Sequence, residues 1–178
     1  MTTCPPVVLY LATLLFAAAM SFSAVADEPG TTAARATVNW TDPAHFDEVK
    51  YSHGRGLSKA DDWLSSLKKH VEQRVDRVLP VGQQLEITFT DIKLAGQFEP
   101  WRGPQFDDVR IVKDIYPPRI ELRFVLKSAD GIVLDEGERT LRDPGFLSRS
   151  IANTSDPLRY EKRMLDDWIN RDFVKGKN

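Results

Sequence analysis

Between an alternating apolar run that ends near Ile92 and another that begins at Arg119, the chain gathers side chains able to recognise or to react. They are Phe98, Glu99, Trp101, Arg102, Phe106, Asp107, Asp108 and Arg110, followed by Tyr116-Pro117-Pro118. The stretch has no regular hydrophobic period, and a connection this long in a small domain is usually functional or folded irregularly over the core. Trp101 and Phe106 offer flat apolar faces while Arg102, Asp107 and Arg110 offer planar polar groups, a mixture that suits a sugar, a peptide or a partner protein. An architectural reading uses the same residues. In it Trp101 lies over the sheet, Arg102 or Arg110 pairs with Asp107 or Asp108, and the prolines stiffen the crossing.

Catalytic chemistry has a narrower basis. A glycosidase-like acid/base pair needs two carboxylates several ångströms apart across a cleft, for which Glu99 with Asp107 or Asp108 are the candidates. The tandem pairs Asp61-Asp62, Asp107-Asp108 and Asp166-Asp167 point neighbouring side chains to different sides of an element, so none is a dyad in itself. The histidines His45, His53 and His70 lack metalloprotease spacing. His45 and His53 could meet an ion only together with Asp42 or Asp47, and His70 falls on the polar side of its helix beside Lys68 and Lys69. No G-x-S-x-G elbow occurs, and Gly54-Arg55-Gly56 has no phosphate-loop context. The sequence therefore names no catalytic residue, no metal site and no cofactor.

The first 26 residues supply an address. An apolar run from Val7 to Met20 leads through Ser21 and Ser23 to Ala24-Val25-Ala26 and then Asp27, the plan of a secretory signal peptide cleaved near Ala26. Its n-region has no Lys or Arg, and Val7 to Ala26 is long enough to be read alternatively as a retained membrane anchor. The expected location is periplasmic or secreted, with membrane contact only through this segment if it stays. Cys4, the single cysteine, precedes the apolar run and is not a lipobox residue. Cleavage would remove it, leaving a domain without disulfides or thiol chemistry. A formal net charge of -2 gives no electrostatic footprint for nucleic acid.

Elements that must position the central stretch follow from periodicity. Residues 27–35 read as a flexible leader, and a single domain spans 36–178. Ala36 to Trp40 alternates as a first strand stopped by Thr41-Asp42-Pro43. Ser58 to Leu79 is the strongest helix, with a capping-box-like Ser58 and Asp61 and a stripe of Leu64, Leu67, Val71, Val75 and Val78. Gln84 to Ile92 places Leu85, Ile87 and Phe89 inward. Arg119 to Leu141 is a hairpin turning at Ser128-Ala129-Asp130-Gly131. Asp156-Pro157 opens a final helix to about Phe173, buried through Leu158, Leu165, Trp168 and Ile169. Its outer face offers Lys162 with Asp166 and Arg163 with Asp167 at i,i+4, beside a mildly basic neighbourhood of Arg142, Arg149, Arg159 and Tyr160 that reads first as a soluble surface, with a phosphate or lipid-headgroup contact as the alternative. The order predicts an α+β fold, an antiparallel sheet of about five strands with two main helices on one face.

The strings VNWTDP, DIKLAGQFEPWRGPQFDDVRIVKDIYPPRIEL, DEGERTLRD and SDPLRYEKRMLDDW resemble a family of exported bacterial proteins, domain of unknown function number three thousand and sixteen. The resemblance runs from about Val38 to Phe173 and implies a bacterial envelope protein, with no activity or ligand to carry over. The expected function is a non-catalytic binding or interaction module of the cell envelope, its partner an envelope protein or a glycan. The alternative is a small carboxylate-dependent hydrolase acting on an envelope polymer, and a third reading is a subunit of a larger assembly.

Overall fold

Alternation builds the centre of the sheet. In this computed structural model, which describes Met1 and residues 35–52, 60–149 and 155–174, strand β1 (Ala36–Trp40) lies beside β2 (Gln83–Lys93). Val38, Ile87 and Phe124 fall in one row across β1, β2 and β5 (Arg119–Ser128), and Gly137 completes it on β6 (Val133–Arg142). These inward apolar residues are buried, whereas Thr37, Asn39 and Arg123 on the opposite side are exposed. One face thus meets the core and the other meets water. The chain divides into two units, Met1–Thr32 and Ala33–Asn178, and everything described below lies in the second. The signal-peptide, leader and Ser58 capping expectations fall outside the described residues.

The fold is α+β, with two corrections to the expected sheet. Its main sheet has four strands in the order β1-β2-β5-β6, and a separate two-stranded ribbon is made by β3 (Gln97–Phe98) and β4 (Arg110–Ile111). The sheet is also mixed, because β1 runs parallel to β2. A parallel neighbour needs a crossover, and helices α1 (Asp47–Tyr51) and α2 (Ala60–Val78) lie in that connection. Strand, helix, strand was therefore a βαβ signal within an otherwise antiparallel order.

Helix α2 buries Leu64, Leu67, Val71 and Val75 completely, and α3 (Arg159–Ile169) buries Met164, Leu165, Trp168 and Ile169 in the same core, beside the Leu158 that precedes it. Helix α3 starts two residues later than Asp156-Pro157 predicts: its N-cap is Leu158, without a side-chain cap bond, and Asp156 accepts the Leu158 N–H at 2.8 Å in the turn before it. Past Ile169 the helix widens into a π-type turn, Asn170–Val174, which buries Phe173. There Trp168, Phe124 and Phe173 meet edge to face, with ring centroids 5.3–5.9 Å apart.

The sheet edge is finished by a charge. Arg139, on the inward side of β6, lays its guanidinium 4.8 Å from the Phe124 ring and donates to Asp172 at 2.9 Å. Gly137 leaves room for this arrangement, since a Cβ there would sit 3.1 Å from the Arg139 head.

Candidate functional site

The site begins with a bulge. Register between β2 and β5 shifts between Phe89 and Asp91, so inward positions change from Leu85, Ile87 and Phe89 to Ile92 and Leu94. Asp91 is thereby free to accept the Asp47 N–H at 2.7 Å at the start of α1, and Arg119 bridges Asp91 at 2.6 Å and Asp47.

Two buried glutamates hold the turn that follows. Glu48 from α1 accepts the Leu94 N–H at 3.0 Å, and Glu161 from α3 accepts the Ala95 N–H at 2.6 Å. Both side chains are almost wholly removed from solvent. Glu48 is neutralised by Arg110, whose guanidinium also reaches the carbonyl oxygens of Ala95 and Gly96 at 3.4 Å. Glu161 has no such partner: its Oε2 is buried without a hydrogen bond, and burial pushes its carboxyl up to about 7. Gly96 takes φ +85°, and a Cβ there would meet the Ile111 carbonyl at 2.8 Å, so the turn presses directly on the ribbon.

Beyond the turn, residues 97–116 form a lobe organised around Glu99. Its carboxylate receives Lys113 Nζ at 2.6 Å and the Tyr116 hydroxyl at 2.9 Å on Oε1, while Arg102 Nε lies 2.8 Å from Oε2. The Lys113 hydrogen bond, helped by Tyr116 and Arg102, holds the Glu99 carboxyl below the usual range despite burial; the hydrogen bond to Glu99 in turn raises the Tyr116 hydroxyl. Phe98 is half-buried with the Arg110 guanidinium 4.8 Å from its ring, and Phe106 is half-buried with Arg102 5.8 Å away.

Trp101 rides on the 3-10 turn Pro100–Arg102 and is 68% exposed. Val109, Val112 and Ile115 of the same lobe also face solvent. Asp107 and Asp108 close the next turn, where the Asp107 N–H donates to Pro104 at 3.2 Å; Asp107 is half-buried and Asp108 exposed.

Trp101 is 68% exposed instead of packed over the sheet, and Arg102 pairs with Glu99 and Arg110 with Glu48, partners the sequence reading did not name. Sequence reading missed Glu48, Lys113 and Glu161. A signal existed for the last: Leu158, Glu161, Leu165 and Trp168 share one helical stripe, so a carboxylate was written into a buried face.

The histidine expectations also change. His70 is not a solvated surface group, for its Nε2 lies 3.0 Å from Asp166 Oδ1 between α2 and α3. His45 pairs with Asp42 in the open, Asp47 is engaged by Arg119, and His53 lies outside the described residues. Among the described residues, no three His, Cys, Asp or Glu side chains converge as a metal site.

With that geometry in place, comparison with known proteins is informative about kinship alone. The profile of one family, described as protein of unknown function (DUF3016), matches residues 34–171. The chain belongs to that family. No curated protein matches it.

Proposed function

We propose that this member of the DUF3016 family is an exported, periplasmic protein that serves as a non-catalytic binding module of the cell envelope, with the lobe around Trp101 as its contact surface. One observation carries the reading: a 68% exposed indole stands on a lobe whose underside is fixed by the buried Glu99 hub. Trp is highly buried on average, so an indole left this open beside other exposed apolar side chains is a candidate contact, and a rigid support lowers the entropy lost when it docks. The N-terminal signal-like segment supports export, and the exposed Val109, Val112 and Ile115 support an apolar contact beside Trp101. The partner is an envelope protein or glycan that offers a face for the indole.

The hydrolase alternative loses ground at Glu99. A carboxylate held ionised by Lys113, Tyr116 and Arg102 is a poor proton donor, and its side chain is only 2% exposed.

A thermal-shift screen of the protein against peptidoglycan fragments, oligosaccharides and peptides, with Trp101→Ala in parallel, tests the proposal. A saturable rise in Tm with one class, lost in the variant, is the expected result. Equal shifts in both proteins would remove the lobe from the site. Turnover of any of these polymers, abolished by Asp107→Asn or Asp108→Asn, would replace the binder by the hydrolase.

A further inference from the structure

A second, chemically different site lies away from the lobe, between β6, α3 and the 143–149 turn. A cavity of about 230 Å³ opens there, with Arg142, Arg149 and Arg171 on its wall against Asp143 and Asp167, and the buried Met164 and Trp168 behind them.

The charges do not cancel. Asp143 is already held by Arg163 at 2.9 Å, a pair shielded from water on both sides, and Asp167 is held by Arg149 at 2.7 Å. Arg171 reaches Asp172, but Asp172 is shared with Arg139 and with the Trp168 indole N–H. Arg142 has no carboxylate partner among the described residues. The wall therefore presents Arg142 unopposed and Arg171 half-opposed, both solvent-exposed or nearly so, around a space too polar and too small for an extended apolar ligand.

We propose that this cavity binds a phosphate group, whether as the free ion or as the head of a phosphomonoester. A guanidinium offers two parallel N–H donors that match adjacent phosphate oxygens, and two such forks from β6 and the π-type turn can grip one tetrahedral group from different sides. Asp143 and Asp167 do not repel it strongly, because each carries its own arginine. Their role is to hold Arg149 in place at the rim.

Calorimetric titration of the protein with inorganic phosphate and with glycerol phosphate, at constant ionic strength in chloride, tests this. The expected result is saturable one-site binding, weakened about tenfold or more in Arg142→Gln/Arg171→Gln. The doubly substituted Arg77→Gln/Arg123→Gln, which removes the same charge from exposed positions elsewhere, should bind as the parent does. Tighter binding of glycerol phosphate would identify a phosphomonoester head, and binding of inorganic phosphate alone would identify the free ion. No saturable binding of either, or equal weakening in both double variants with unchanged circular dichroism, overturns the proposal.

Discussion

Glu161 Oε1 accepts the backbone N–H of Ala95 at 2.6 Å, across 66 residues of sequence, and by doing so ties the last helix to the root of the Trp101 lobe. The bond is made by a carboxyl that burial pushes from 4.5 to about 7, against the lowering effect of the Ala95 and Glu161 N–H groups and of Arg110, with Glu48 adding a smaller repulsion. The sign follows from proton linkage. Between about 4.5 and 7 the folded protein holds a proton that the unfolded chain has released, so stability falls as pH rises through this window. The cost at full ionisation is on the order of 3 kcal/mol. Glu161→Gln keeps the acceptor for Ala95 and cannot ionise. Urea unfolding should show it more stable than the parent at pH 8 by about 1–3 kcal/mol, with the advantage gone at pH 4.5. Parallel pH profiles for the two proteins would contradict the assignment.

Glu99 should behave in the opposite sense. Its carboxyl lies below the ordinary value, as do those of Asp156 and Asp172, so each contributes stability above its unfolded pKa that is lost as pH falls through the lowered one. Glu99→Ala leaves Lys113 and Tyr116 without their common acceptor and Arg102 without its ion-pair partner. Amide hydrogen exchange should then rise over residues 97–116 while the amides of β2 and β5 stay protected. Uniform loss of protection would mean that the lobe and the sheet unfold together.

Much of this arrangement was legible in the sequence and part of it was not. Leu85, Ile87 and Phe89, the α2 stripe, the Ser128–Gly131 turn and the buried face of α3 follow from periods of two and 3.6 residues, and the structure places them so. The parallel pairing of β1 was missed because periodicity assigns elements, not partners. The lobe was recognised as irregular, yet its partners lie far away in sequence: Arg110 finds Glu48, and the Leu94–Gly96 turn finds Glu161. Such pairs leave no local pattern. Trp101 was singled out in a stretch where a binding role and an architectural role were both open, and the indole proves to be 68% exposed.

Gly96→Ala tests how tightly the turn and ribbon are pressed together. The substitution forces an L-residue to φ +85° and brings its Cβ to 2.8 Å from the Ile111 carbonyl, backbone that cannot swing aside. A loss of about 1–3 kcal/mol in denaturant unfolding is expected. Gly131→Ala, also at positive φ but with nothing within 4 Å, should cost less, about 1 kcal/mol. Equal losses would show that the backbone angle, not the contact with Ile111, sets the penalty.

The charged face of α3 allows a sharper test of local against tertiary pairing. Spacing alone assigns Lys162 to Asp166 and Arg163 to Asp167, each worth about 0.3–0.5 kcal/mol on an isolated helix. The structure assigns them elsewhere: Lys162 to Asp156 at 2.7 Å, Arg163 to Asp143 at 2.9 Å, and Asp166 to His70 at 3.0 Å and Arg74 at 3.7 Å on α2. A double-mutant cycle on Lys162 and Asp166 should therefore give a coupling near zero, below about 0.3 kcal/mol. The cycle on Arg163 and Asp143 should give about 1–3 kcal/mol, because both side chains are largely removed from water and the pair is made in a less screened setting. Reversed magnitudes would return α3 to a free-standing amphipathic helix. The expected ones make it a clasp, joined by separate ion pairs to α2, to the turn after β6 and to Asp156 in the turn just ahead of its N-terminus.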